Sequence, residues 1–249
     1  MPLDKVVEFQ NVSFSYNSRL VLENVNLTVS DKEFVWVVGP NGGGKTTLVK
    51  LLLGLLQPKT GVVKVFGSPA AAARRRIGYM PQQAQLDLRF PVTARDVVLM
   101  GRLNRGLLPA KYSSSDKDTV RNVLQLVGLE SMADSPLKDL SGGQQRRLLI
   151  ARALACQPDM LLLDEPTANL DSIAERELFQ ILKKLNRQLT VMMISHDPAF
   201  VSDFVEQVVC VNRTVAVHPT TERDREFIGE LYGDSLRMVR HDKHAEGDN

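Results

Sequence analysis

Cysteine is scarce in this chain: only Cys156 and Cys210 occur among 249 residues, far apart and with no partner at metal-ligand spacing. A disulfide framework and a cysteine zinc site are therefore excluded. Flanked by apolar residues such as Leu154 and Val209, both thiols are expected in the core of a protein from a reducing compartment. An excess of charge of one sign is missing too. The 31 basic and 29 acidic residues are interleaved and leave a net charge of +2, so no basic block argues for DNA or RNA as a partner. No apolar run reaches the roughly 18 residues of a membrane-crossing helix, and Met1 to Phe9 lacks the basic start and apolar stretch of a signal peptide. The expectation is a chain that neither crosses a membrane nor is exported. Internal repeats are absent as well. What is present is 43% apolar residues, enough for the full core of one elaborated α/β domain or of a large and a small subdomain.

The hydrophobic pattern changes period along the chain. Val7, Phe9, Val12, Phe14 and Tyr16 stand mostly between polar residues, and Val25, Leu27 and Val29 alternate with Asn26 and Thr28, which predicts antiparallel strands with one buried face. Continuous apolar runs follow at Phe34 to Val38, Met160 to Leu163 and Val191 to Ile194, the pattern of parallel strands covered on both faces. Helices are predicted at Thr46 to Leu56, Asp116 to Val127 (stopped by Gly128), Gln144 to Ala155 and Ile173 to Asn186. The segment from Leu86 to Asp139 reads as a helical insert, with Ser113 to Ser115 leading to a cap near Asp116. The tail beyond about Gly233 is polar and expected to fray.

Chemistry begins at Gly39-Pro40-Asn41-Gly42-Gly43-Gly44-Lys45-Thr46, which follows an apolar strand and opens a helix. Glycines let successive N–H groups face inward, the helix N-terminus adds positive potential, Lys45 can reach β and γ phosphates, and the Thr46 hydroxyl can coordinate magnesium. Thr47 belongs to the same turn. The alternative is a glycine-rich turn without ligand. Downstream, the strand Met160 to Leu163 ends in Asp164 and Glu165, at the sheet edge where open α/β folds place ligands. Asp164 suits a magnesium ion, and Glu165 suits polarising a water that attacks the γ phosphate; a lone Asp-Glu pair there would otherwise be solvated surface.

Leu140-Ser141-Gly142-Gly143-Gln144 stands about twenty residues before Asp164 and opens a helix, a second anion site in one chain. With this pentapeptide the sequence resembles the ATP-binding cassette (ABC) ATPases over roughly residues 5 to 217. That resemblance implies an α/β P-loop NTPase core with a mixed, largely parallel sheet, an N-terminal antiparallel β-subdomain and a helical insert. The expected boundaries are 1–85 and 140–217 for the core, 86–139 for the helical subdomain and 218–249 for a tail. Two copies would pair head to tail, so that Ser141, Gly142, Gly143 and Gln144 of one close over ATP on the P-loop of the other. It further implies Tyr16 as a ring against adenine, its alternative being a partly buried core residue. Gln82 would reach magnesium and the lytic water, with Gln83 as the adjacent alternative. His196 would be a histidine contacting the γ phosphate, and Asp171 would sit in a loop crossing the dimer interface as well as capping a helix. Gly43 departs from the serine or alanine of many members, and Trp36 is bulky for the strand before it. ATP and magnesium are the implied cofactors.

The stretch Asp87 to Arg102, with His218 to Glu222 and Leu231 to Gly233, looks like the ATPases of zinc and manganese importers. Siderophore and cobalamin importers have related sequences and form the alternative. Such systems select cargo through membrane permease subunits and an external binding protein, so the chain is expected at the cytoplasmic face of the membrane, held by a permease. Some of Phe90, Pro91, Val92, Val98 and Met100, in a stretch that also carries Arg89, Arg95 and Arg102, are expected to form an exposed groove for a permease helix, the alternative being subdomain core. His218, His241 and His244 match no ligand spacing and read as solvated. A soluble ABC protein of translation or repair is disfavoured by the single motif set and the absence of a heptad run. The pentapeptide excludes a P-loop kinase or GTPase.

Overall fold

The computed structural model describes residues 4–82, 87, 90–103, 112–195 and 205–219. Gln83, Arg89, His196, His241 and His244 lie outside the described residues, as does the chain beyond Pro219. In chain order the elements are β1 (Lys5–Tyr16), β2 (Arg19–Ser30), β3 (Phe34–Val38), α1 (Lys45–Leu52), β4 (Thr60–Val65), β5 (Ser68–Pro69), α2 (Ala70–Ala73) and β6 (Ile77–Met80). Then come α3 (Ala94–Met100), α4 (Ser114–Leu126), α5 (Gly142–Leu154), β7 (Met160–Asp164), α6 (Ser172–Asn186), β8 (Thr190–Ile194), β9 (Gln207–Asn212) and β10 (Thr214–Pro219).

Two sheets organise them. One has four strands in the order β2-β1-β4-β5, antiparallel throughout; the other has six in the order β10-β9-β3-β8-β7-β6, parallel except for the β9–β10 pair. The continuous apolar runs are the central parallel strands because both of their faces are covered, and their side chains alternate between two cores. Phe34, Trp36 and Val38 of β3, with Leu161 and Leu163 of β7, face the core built with α3, α4, α5 and α6. Val35 and Val37, with Met160 and Leu162, face α1 and the antiparallel sheet. Trp36 is 1% exposed and stacks on Phe179 of α6 at 5.9 Å between ring centroids; its bulk fills the space beneath that helix. Each such side chain contributes about 1.5–3 kcal/mol through burial.

Several local expectations shift. Helix α1 stops at Leu52 rather than Leu56, because the chain turns at Gly54, whose left-handed φ of 62° ends the helical path. The cap of α4 is Ser113: its hydroxyl accepts from the Asp116 N–H while the Asp116 carboxylate accepts from the Ser113 N–H, a reciprocal capping box. Both cysteines are half-buried rather than fully enclosed, Cys156 where α5 gives way to a turn and Cys210 on β9. Of the candidates for a surface groove, Arg102 and Val98 are core residues. Gly101 allows the end of α3 to approach the Arg152 carbonyl and Ala155 of α5 closely, which draws Arg102 inward. There its guanidinium meets Asp116 at 2.7 Å.

Candidate functional site

The turn from β3 into α1 forms one wall of a cleft of about 520 Å³. Gly44, the residue before α1, has φ 111°, and the space behind it is taken by Leu22 of β2; only glycine fits this backbone without strain. A Cβ at Gly43 would lie 2.7 Å from the Val211 carbonyl of β9 and 3.0 Å from the Pro40 carbonyl. The glycine that departs from the serine or alanine of many family members therefore has a packing reason: the β9–β10 hairpin sits directly on the loop. Pro40 O accepts from Gly43 N–H at 3.0 Å, and Gly43 O accepts from Arg213 N–H at 2.9 Å.

Lys45 donates from Nζ to the carbonyls of Gly39 at 2.6 Å and Pro40 at 3.2 Å. Burial lowers its pKa, while Glu165 and Asp164 pull in the opposite direction. A half-buried ammonium whose hydrogen bonds among the described residues go to carbonyls is matched to an anion. Thr46 is exposed to the cleft, whereas Thr47 is buried beneath it.

Across the cleft, β7 delivers Asp164 and Glu165, which are 5% and 6% exposed. Burial raises the Asp164 pKa and the neighbouring Glu165 adds to it; Lys45 and a hydrogen bond from the Gln82 backbone N–H oppose the rise. Such a carboxylate gains by meeting a cation. Glu165 has φ 55°, in the left-handed region, and donates its N–H to the Ile194 carbonyl at 2.9 Å. A non-glycine residue in that conformation costs about 1–3 kcal/mol, a form of strain that concentrates at functional positions. Gln82 lies two residues beyond β6 and is exposed on the cleft wall.

Tyr16 reaches the same cleft because it pairs with Arg19 across the Asn17-Ser18 turn, where Asn17 takes φ 53°. It is 44% exposed and packs edge-on against Phe14, which leaves a ring face for a planar ligand rather than burying it in the core. The cleft thus gathers Tyr16, Pro40 to Thr47, Gln82, Asp164 and Glu165. It also includes Arg19, Leu20, Val21, Asn212 and Arg213, which sequence reasoning missed. The continuous apolar run Val208 to Val211, broken by Asn212 and Arg213 before Val215 and Val217, was the available signal for the β9–β10 hairpin that brings Asn212 and Arg213 there.

Ser141, Gly142, Gly143, Gln144 and Asp171 do not line this cleft. Ser141 caps α5 with its hydroxyl accepting from the Gln144 N–H, and the Gln144 side chain accepts from the Ser141 N–H at 2.8 Å. Gly142 has open space around it, while Gly143 packs against Ala174 of α6. Asp171 caps α6, accepting from the N–H groups of Ile173 and Ala174 at 2.9 and 2.8 Å. Between these two helix starts, Arg146 of α5 donates to the Ala168 carbonyl at 3.0 Å. Burial lowers the Arg146 pKa, and the nearby Glu165 opposes that shift.

A glycine-rich turn and Lys45 facing two carboxylates, with a second exposed helix start elsewhere on the chain, agree with the profile of the ABC transporter family, which matches residues 22–168. The chain belongs to the ABC transporter ATPase family. The ABC ATPase is 34% identical over 244 residues to the manganese transport system ATP-binding protein MntB of Bacillus subtilis, covering 97% of this chain and 98% of that one. It is 36% identical over 240 residues to the zinc import ATP-binding protein ZnuC of Pseudomonas entomophila, covering 95% of this chain and 87% of the relative. Among solved structures, an ATP-binding cassette captured as a dimer in a post-hydrolysis state with ADP and Pi is 31% identical, with a TM-score of 0.70 and coverage of 86% of this chain and 98% of that one. An ABC ATPase domain binds nucleotide. Among the described residues, no helix of this ABC ATPase is long and apolar enough to cross a membrane.

Proposed function

We propose that the chain binds ATP with magnesium in the cleft, hydrolyses it in a head-to-tail dimer, and powers import of a divalent metal ion such as zinc or manganese. The observation that carries the reading is the division of the motifs: Lys45, Thr46, Gln82, Asp164 and Glu165 share one cleft, while Ser141 to Gln144 stand outside it. A second copy related by a two-fold axis can supply those groups to the open side.

The Thr46 hydroxyl, the Asp164 carboxylate and the Gln82 side chain are hard oxygen donors at the cleft, the donor set that suits magnesium. Bound there, the ion would neutralise phosphate charge. Tyr16 would stack on adenine. The N–H groups of the loop and the Lys45 ammonium would hold the β and γ phosphates, with Lys45 exchanging the Gly39 and Pro40 carbonyls for phosphate oxygens. Glu165 would accept a proton from water in line with the γ phosphate, and Gln82 would orient that water. His196 is assigned to the γ phosphate by family resemblance alone. Ser141 and Gly143 of the partner copy would close the site, and Asp171 would lie along the dimer interface.

On the insert, Phe90, Met100 and Leu103 are 63%, 42% and 63% exposed. These exposed apolar side chains are the proposed seat for a cytoplasmic segment of a polytopic permease. The insert would form a helical subdomain over 86–139, between core segments 1–85 and 140–217, with 218–249 as a tail. An external binding protein would hand cargo to the permease. Similarity to relatives named for manganese and zinc supports the cargo class.

The test is purification from detergent-solubilised membranes, followed by reconstitution with whatever polytopic subunit accompanies the chain. ATP-dependent uptake of zinc or manganese into vesicles is expected. An absence of any polytopic partner, or uptake of a chelate but not of the free ion, would overturn the importer assignment or its cargo respectively.

A further inference from the structure

We propose that Arg213, at the apex of the β9–β10 turn, is a further nucleotide-contacting residue whose guanidinium meets the α and β phosphates. The proposal rests on the reading of the cleft as the nucleotide site. Arg213 lines that cleft and is exposed. Its main chain is fixed on both sides: its N–H donates to the Gly43 carbonyl at 2.9 Å, and its own carbonyl accepts from the Glu23 N–H of β2 at 2.8 Å. Two residues back, the Val211 carbonyl fills the space where Gly39 and Gly43 would carry side chains. The turn is thereby stapled between the phosphate loop and the strand that follows Arg19.

Two observations say that the side chain has a use. Asn212 pairs with Thr214, leaving Arg213 alone at the apex with φ 60°, a conformation that glycine adopts freely and an arginine only at some expense in stability. In addition, no carboxylate among the described residues pairs with it. A guanidinium free of carboxylates, rooted one hydrogen bond from Gly43, is placed for the oxygens that the amides of Gly43, Gly44 and Lys45 would cradle, and its planar fork matches phosphate bidentately. Anchoring to the loop rather than to Tyr16 makes the diphosphate, not the base, the group recognised.

Arg213→Gly removes the side chain while keeping both main-chain hydrogen bonds and the left-handed turn. Its melting temperature is expected to equal or exceed that of the unaltered protein. Calorimetric titration with ADP should show a dissociation constant raised about five- to tenfold, the effect of one partly screened charge-assisted contact; AMP should lose clearly less. Arg213→Lys should recover part of the ADP affinity. The proposal is overturned by an ADP affinity within about twofold of the unaltered protein, or by equal losses for AMP and ADP. It is also overturned by a lower melting temperature accompanied by an affinity loss that lysine does not restore, which would assign Arg213 to the fold. Should the unaltered protein bind neither nucleotide, the reading of the cleft itself fails and takes this contact with it.

Discussion

Replacing Arg102 by methionine should destabilise the protein by about 2 kcal/mol through two opposed effects. The Arg102 side chain is 1% exposed. Its Nε donates to Asp116 Oδ1 at 2.7 Å, and Nη1 donates to the Ala155 carbonyl at 2.7 Å and to Gln157 Oε1 at 3.2 Å. Hydrogen bonds with a charged partner are worth about 1.5–3 kcal/mol each, so their loss alone would be severe. Against it stands the cost of a buried guanidinium whose Nη2 has no partner among the described residues, a penalty of several kcal/mol that methionine removes while filling the same stem. Arg102→Ala adds a cavity and should cost about 4 kcal/mol. For a domain of this size, 2 kcal/mol corresponds to a melting point lower by about 4–8 °C. The deficit should also depend on pH. Asp116 is held at a pKa of about 2, first by the Ser113 hydroxyl and then by Arg102. A depressed carboxylate contributes stability above its ordinary pKa and loses it as pH falls through the folded value, so the gap between variant and parent should narrow from about pH 4 towards about pH 2. Thermal melts of both proteins across that window provide the measurement. A methionine variant that melts within about 1 °C of its parent at neutral pH, or above it, would refute the balance drawn here.

Glu165→Gln should lower turnover by roughly 100-fold to 10,000-fold while nucleotide affinity persists, and it should accumulate as an ATP-bound dimer; steady-state ATPase rates and size-exclusion chromatography with saturating ATP check both. Lys45→Ala disables phosphate binding in its own cleft, and Ser141→Arg obstructs only the partner's, so a mixture of the two inactive proteins should regain ATPase activity that neither homodimer shows. Phe90→Glu or Met100→Glu should leave melting and ATP binding intact but abolish association with the permease; a collapsed melting temperature would assign these exposed side chains to the core instead.

The central strands were legible because a strand covered on both faces needs no polar positions, and Phe34 to Val38 and Met160 to Leu163 have none. The glycine-rich turn between β3 and α1 was legible as a cleft wall from residue order alone, since its glycines and lysine line the cleft through their own backbone and side chains. What remained hidden depends on segments distant in sequence. No local pattern announces that the Val211 carbonyl fills the space beside Gly43, or that Arg213 and Arg19 reach the same cleft. The left-handed φ of Glu165 is equally silent in a run that otherwise reads as strand. Arg102 was misplaced for a related reason: charge predicts exposure until a glycine beside it lets two helices close and a carboxylate waits inside. Helix ends were the other weak point, because α1 is ended by Gly54 and not by a change in apolar spacing.

Ser141 accepts a hydrogen bond from the Gln144 N–H with its hydroxyl oxygen, and this arrangement commits one of the hydroxyl's two lone pairs. That lone pair points inward to the first turn of α5, which leaves the proton and the second lone pair for other partners. An anion arriving from solvent or from a second copy can therefore take that proton, and the positive end of α5 favours it over a cation. The same economy complicates mutagenesis. Ser141→Ala deletes the donor and also uncaps α5, at a cost of about 0.5–2 kcal/mol, so a loss of activity in that variant mixes recognition with helix fraying. Ser141→Asp keeps a cap but turns a negative charge towards the incoming phosphate. Comparing the two separates what the hydroxyl does for its own helix from what it offers to a neighbour.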